Sequence, residues 1–294
     1  MAKSGSEWNA HDINNWLLKR GHRVKVMTSM QNNDNYEYGG IHVFSRPRDW
    51  YFHHEWADII FTQLDFAGDV AMDCKQSKKP AVWFDHNTFM YSSVRTHRSL
   101  NVVYNSYWNE QVCKYENAGF VLQPPVDIAH YRVQKGDKIT LINLNKNKGA
   151  EMLYRIAEAM PDKQFLAVQG GYGQQIYKEL PNVSYLANQA DIRNAYRQTK
   201  ILLMPSQYES WGRTATEAMA SGIPVICSDL PGLRENCADA GTYCKPDRLD
   251  EWVKAINYVE ENYEICSNKA LQRAEELNPE SNLLKFEQWL ISLI

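Results

Sequence analysis

Short apolar runs alternate along the chain with longer stretches whose apolar positions recur every three or four residues. In the first half, "VKVMTS" (24–29), "IHVFS" (41–45), "DIIFTQ" (58–63), "PAVWFDH" (80–86) and "NVVYNS" (101–106) read as buried strands. In the second half, "ITLINL" (139–144), "QFLAVQG" (164–170), "VSYLA" (183–187), "ILLMPS" (201–206) and "IPVICS" (223–228) do the same. Helical patterns fall between them at 7–20, 107–117, 149–160, 190–198, 213–221 and 248–263. A strand covered by helices on both faces reads as a continuous apolar run, so the alternation predicts βαβ units, parallel sheets and an α/β fold. Sheets of that kind bind ligands beyond the carboxyl ends of their strands.

The segment "VLQPPVDIAHYR" (121–132) divides the pattern, because adjacent prolines stop regular structure. The expected organisation is an N-terminal domain over 1–125 and a C-terminal domain over 126–279, each with a doubly wound sheet. The end of the chain, "NPESNLLKFEQWLISLI", reads as a helix entered through an Asn-Pro-Glu-Ser start. Leu283, Phe286, Trp289, Leu290 and Leu293 share one side of it. The helix 280–294 is expected to pack back on the N-terminal domain.

Composition narrows the reading. The 294 residues are 44% hydrophobic and 23% charged, as in an ordinary globular protein, and the net charge is −3. That balance gives no basic face for non-specific nucleic-acid binding. No apolar run reaches the ~18 residues of a membrane-spanning helix, and "MAKSGSEWNAHD" lacks the apolar core of a signal peptide. None of the six cysteines forms a C-x-x-C pair, so they read as reduced thiols of a cytoplasmic protein. No H-x-x-x-H or D-x-D pair occurs, so no metal and no cofactor is expected.

The stretch "PSQYESWGRTATEAMASGIPVICSD" (205–229) carries the most chemistry. A strand ends at its start, a loop holds Glu209, and a helix begins after Gly212 and carries Glu217 one turn in. Gly212 lets backbone approach a ligand closely. The helix start aims unpaired N–H groups and a positive dipole end at the same space, which suits a diphosphate. An ionised carboxylate only accepts hydrogen bonds, so Glu217 suits a diol such as ribose. The bland alternative leaves Glu217 as a helix-favouring acid and Glu209 as a solvated loop residue.

Glu209 to Glu217, followed by "EAMASGIPVICSDLPGLRE", resembles the E-x7-E motif of family 4 retaining nucleotide-sugar glycosyltransferases. Most of the chain is similar in order: "GSEWNAHDINNWLLKRGHRVKVMT", "VVYNSYWNEQVC", "PPVDIAHYR" and "KGAEMLYRIAEAMPDKQFLAVQGGYG" each look like a segment of that family. The resemblance implies the GT-B fold, two Rossmann-like domains facing a cleft. The C-terminal domain would hold a nucleotide diphosphate sugar and the N-terminal domain the acceptor. By the same resemblance Glu217 binds the ribose and Glu209 the donor sugar, while Gly212, Arg213 and Thr214 hold the diphosphate through backbone amides. Lys148, beside Gly149, would stand over the leaving diphosphate. The family usually has an arginine about five residues earlier, where this chain has Asn143; Lys146 and Arg213 are candidates for the missing clamp. His86, with Asp85 as a neighbour, would orient a sugar hydroxyl or the acceptor oxygen. Gly5 and Ser6 match the family's glycine-rich loop and are candidate donor contacts. The family's first strand, which precedes that loop, is lacking in the N-terminal domain.

The expected reaction moves a sugar to a hydroxyl acceptor, glycan, lipid-linked or other, with retention and without a metal. A nucleic-acid acceptor is disfavoured by the balanced charge of residues 1–125, 13 basic against 13 acidic. Two further readings stay open: a degenerate GT-B protein that binds nucleotide sugar or a partner without turnover, and a hydrolase or epimerase. The cluster Trp50, Tyr51, Phe52, His53, His54 and Trp56 reads as core packing plus loop, with sugar or base stacking as the alternative. Arg95, His97 and Arg98, with Lys75, Lys78 and Lys79, read as scattered solvated charges, with weak contact to an anionic acceptor or membrane surface as the alternative.

Overall fold

A computed structural model describes residues 5–28, 35–44, 50–63, 67–88, 100–113 and 119–294. Arg95, His97 and Arg98 lie outside these. The chain folds as two compact units. One is built on Ser6–Pro125 with Glu280–Ile294, the other on Val126–Pro279.

The first unit contains two small sheets among its described residues. Strands β1 (Lys25–Met27), β2 (Tyr36–Tyr38) and β3 (Ile41–Phe44) lie in the order β1-β3-β2, with β1 parallel to β3 and β2 antiparallel to it. Strands β4 (Ile60–Gln63), β5 (Ala81–Asp85), β6 (Leu100–Tyr104) and β7 (Gly119–Val121) pair in sequence, all parallel. Among the described residues no strand pairs with the second edge of β1 or of β4.

The helix Glu280–Ile291 packs within this unit. Its apolar positions three and four apart form one stripe. Leu283, Phe286 and Leu290 are buried with Ile13 and Leu17 of the helix Gly5–Lys19, Val82 and Phe84 of β5, and Val103 of β6. Burial of each such side chain is worth about 1.5–3 kcal/mol. Glu287 accepts from Arg20 Nη2 at 3.0 Å and pairs with His22 Nε2 at 2.7 Å. These contacts, the Arg20 hydrogen bond foremost, hold its carboxyl below the usual range.

The second unit has one continuous parallel sheet of β8 (Lys138–Ile142), β9 (Phe165–Val168), β10 (Val183–Leu186), β11 (Thr199–Met204), β12 (Val225–Ser228) and β13 (Gly241–Cys244). Its order is β10-β9-β8-β11-β12-β13. The central strands are apolar because each face carries its own core. Leu141, Leu203 and Ile226 pack on one side with Leu153, Ile156, Trp252 and Ile256. Leu202, Val225 and Cys227 pack on the other with Ala215, Ala218, Met219 and Leu233. Strand order reverses between β8 and β11, so the loops after these two strands open at the switch point, where such sheets bind ligands.

Candidate active site

The loop after β8 is built to hold one lysine in place. Asn143 sits at φ +74°, a left-handed conformation that asparagine tolerates better than most side chains. It is buried, and its Oδ1 accepts from Gln175 Nε2 at 3.0 Å and from the Asn145 N–H at 3.3 Å. The Asn145 Oδ1 accepts from the Lys148 N–H at 2.9 Å and caps the short turn Lys146–Lys148. Gly149 follows at φ +85°, where an added Cβ would lie 2.2 Å from the Pro205 carbonyl oxygen. That close approach joins the β8 loop to the β11 loop, as does the Gln207 N–H donating to the Asn147 carbonyl at 2.8 Å.

Across this junction Lys148 Nζ pairs with Glu209 Oε1, which also accepts from Ser206 Oγ at 3.0 Å. The Glu209 side chain is 10% exposed and that of Lys148 24%. Burial alone lowers the pKa of the Lys148 ammonium; the Glu209 carboxylate and a hydrogen bond with Tyr172 outweigh it and hold it above the usual value. Lys146, on the same turn, is exposed.

The loop then runs through buried Trp211 to Gly212, at φ +83°, and the helix Arg213–Met219 starts with no side-chain cap. Asn236 fixes the turn, its Nδ2 donating to the carbonyls of Trp211 at 3.0 Å and Gly212 at 3.1 Å. Thr214 sits in the first turn with its Oγ1 3.7 Å from Met204 Sδ. Glu217 is buried one turn further. Its Oε1 accepts from Arg213 Nε at 2.7 Å and its Oε2 from the Tyr196 hydroxyl at 2.7 Å. The Arg213 guanidinium is thus engaged by Glu217, and its Cζ lies 5.9 Å from the centre of the Tyr131 ring.

In the other unit, His86 follows β5, with Nε2 2.9 Å from Gln63 Oε1. Burial pushes its pKa down to about 4, leaving a neutral ring at pH 7. Asp85 is 1% exposed, and burial pushes it up to about 7. Its Oδ1 accepts from the Asn87 N–H at 3.2 Å. Asn105 Nδ2 donates to the His86 carbonyl at 3.2 Å and Asn109 Nδ2 to the Asp85 carbonyl at 3.1 Å, fixing the backbone on both sides of the peptide. Gly5 and Ser6 open the helix Gly5–Lys19, Gly5 exposed and Ser6 partly so.

Residues 137–276 match the family model described as glycosyl transferases group 1. Among solved structures, the Anabaena protein HepE in complex with UDP-glucose superposes with a TM-score of 0.82 at 17% identity, over 99% of this chain and 97% of that one. The fold is GT-B. A D-inositol 3-phosphate glycosyltransferase of Mycobacteroides abscessus is 33% identical over 125 residues, 37% of this chain and 28% of that protein. An uncharacterized glycosyltransferase of Haemophilus influenzae is 23% identical over 211 residues, 65% of this chain and 59% of that protein. The match thus spans less than two thirds of either curated relative's own length.

In the unit 126–279 the candidate site joins Lys148 to Glu209 and Tyr196 to Glu217, residues 61 and 21 apart in sequence. Sequence reasoning singled out Lys148, Glu209 and Glu217 but missed Ser206, Tyr172, Asn236 and Tyr196. Ser206, three residues before Glu209 in a loop, carried a weak local signal. Tyr196 carried none beyond its place in a helical pattern. Among the described residues no helix is long and apolar enough to cross a membrane.

Proposed function

We propose that this GT-B protein transfers a sugar from a nucleotide diphosphate sugar to a hydroxyl acceptor, with retention and without a metal. The observation that carries the reading is the Lys148–Glu209 pair at the sheet's switch point, beside an uncapped helix start with Glu217 one turn in. The uncapped amides after Gly212 suit the diphosphate, and Lys148 adds a cation where charge builds on it. The exposed Lys146 is the candidate for a further phosphate contact, since the Arg213 guanidinium is engaged by Glu217 and Asn143 by its own loop. Glu217 takes the ribose diol and Glu209 the hydroxyls of the donor sugar.

In the reaction the bond from the anomeric carbon to the leaving phosphate oxygen breaks and a bond to the acceptor oxygen forms on the same face. The acceptor's proton passes to the departing phosphate, and a nucleoside diphosphate leaves. No side chain here is assigned as a covalent nucleophile, so the protein contributes orientation and charge stabilisation. Neutral His86, steadied by Gln63, is suited to exchange hydrogen bonds with a sugar or acceptor hydroxyl without carrying charge.

A nucleotide sugar donor is supported by the UDP-glucose in the HepE structure and by the glycosyltransferase names of the relatives. The chemistry above does not choose among nucleobases, sugars or acceptors. The test is release of nucleoside diphosphate from a panel of donors with and without glycan and lipid-linked acceptors. Acceptor-dependent release is expected; release without an acceptor identifies a hydrolase instead, and loss of donor without release an epimerase. The alternative reading is a degenerate GT-B protein that binds nucleotide sugar or a partner without turnover. Donor binding without release under every acceptor would establish it.

A further inference from the structure

The acid proposed to hold the ribose is itself held. Glu217 is 4% exposed, and each carboxylate oxygen already has a donor, Arg213 on Oε1 and Tyr196 on Oε2. The two donors come from different elements. Arg213 lies four residues earlier on the same helix, and its Nη2 also donates to the Tyr131 hydroxyl at 3.4 Å. Tyr196 comes from another element, the short helix Arg193–Tyr196 that leads into β11. Its ring is 0% exposed and packs in the core with Ala215, Ala218 and Met219.

The carboxylate's rotation about its last bond is otherwise broad. A donor fixed to a rigid ring removes that freedom. A carboxylate has about four lone-pair directions. With two occupied, one remains on each oxygen, matching the two hydroxyls of a cis-diol. The Tyr196 hydroxyl also has the Thr214 carbonyl at 3.5 Å, too long to compete with 2.7 Å. Burial first, and then the charge of Glu217, raise the Tyr196 pKa well above the usual value, so the group stays a donor at every working pH.

We infer that Tyr196 is a positioning residue: it orients the Glu217 carboxylate from the core, and so sets a preference for ribonucleotides over 2′-deoxyribonucleotides. This rests on the proposed donor site. The test is calorimetric titration of wild type, Tyr196→Phe, Glu217→Gln and the double variant with UDP, GDP and ADP. The 2′-deoxy form of whichever nucleotide wild type binds best completes the panel.

Wild type is expected to prefer the ribonucleotide. Tyr196→Phe, which keeps the ring, is expected to weaken ribonucleotide binding roughly tenfold, the scale of a hydrogen bond to a charged group. It should leave the 2′-deoxy nucleotide within about twofold, which also shows that the variant is folded. In the Glu217→Gln background the same change should have no further effect on the preference, a comparison that does not depend on the single variant. A wild-type ribose preference retained in Tyr196→Phe, at unchanged or uniformly reduced affinity, overturns the inference while leaving the donor site standing. If wild type itself binds no nucleotide, or binds both forms equally, the donor site falls and the inference with it.

Discussion

The two units use their sheets differently. In the unit 126–279 the first strand, β8, lies at the centre of a continuous six-stranded sheet, paired with β9 on one side and β11 on the other. In the unit 6–125 with 280–294 the described strands form one sheet of three and one of four, with none described between β1 and β4. A switch-point strand does two jobs. Its backbone joins the two halves of the sheet, and its carboxyl end presents a loop at the binding position. In the unit 126–279 β8 does both, and its loop delivers Lys148 to Glu209. In the other unit the cohesion comes from side chains: the helix Glu280–Ile291 packs Leu283, Phe286 and Leu290 against both the helix Gly5–Lys19 and β5–β6.

That contrast can be broken most strongly at Phe286, which is fully buried at the centre of this cluster. Phe286→Ala is expected to cost about 3–5 kcal/mol, confined to the unit 6–125 with 280–294. Hydrogen exchange should show β4–β7 losing protection while β8, β11 and β12 keep theirs. Equal loss in both units would mean that they unfold as one, and the comparison would fail.

The next effect lies on the other side of the comparison. Lys148→Ala should lower turnover by roughly 100-fold or more, the scale for removing one transition-state donor. Protection in β4–β7 should be unchanged. Wild-type turnover would remove Lys148 from the mechanism.

The smallest effect concerns pH, where neighbouring groups oppose each other. Asp85 has its folded pKa raised to about 7 by burial, so it costs the fold stability increasingly as pH rises from about 4 through 7. His86 has its folded pKa lowered to about 4, also by burial, so its contribution is lost as pH falls from about 6.5 through 4. In wild type the two trends offset one another over this window. Asp85→Asn leaves only the histidine's trend, so the variant should lose about 2 kcal/mol on going from pH 7 to pH 4.5. Limited proteolysis in urea at both pH values, scored on fragments of the unit 6–125, measures it. A pH response in the variant identical to wild type would contradict the burial of Asp85.

The pattern of apolar runs made the parallel sheets legible, because strands such as β11 and β12 are buried on both faces. It missed the edges. Strand β2 is exposed at every position, and β13 is short and only partly buried. The helix Tyr263–Glu276 was also missed, since the face it buries carries Cys266, Ser267, Ala270 and Ala274, residues too small or polar to mark a hydrophobic stripe. At the site, spacing located Glu209 and Glu217, but their partners Lys148 and Tyr196 are 61 and 21 residues away and meet them only through the fold. Asn143 illustrates the limit: the family resemblance leads one to expect an arginine here, and the backbone at Asn143 makes a left-handed turn.

The central claim is that a nucleoside diphosphate binds at the loops after β8 and β11 with its ribose on Glu217. The most direct measurement is calorimetric titration of wild type and Glu217→Gln with UDP, GDP and ADP. One-to-one binding of at least one nucleotide by wild type, weakened roughly tenfold or more in the variant, is the predicted result. Equal affinity in the two proteins, or no binding by wild type, would contradict it.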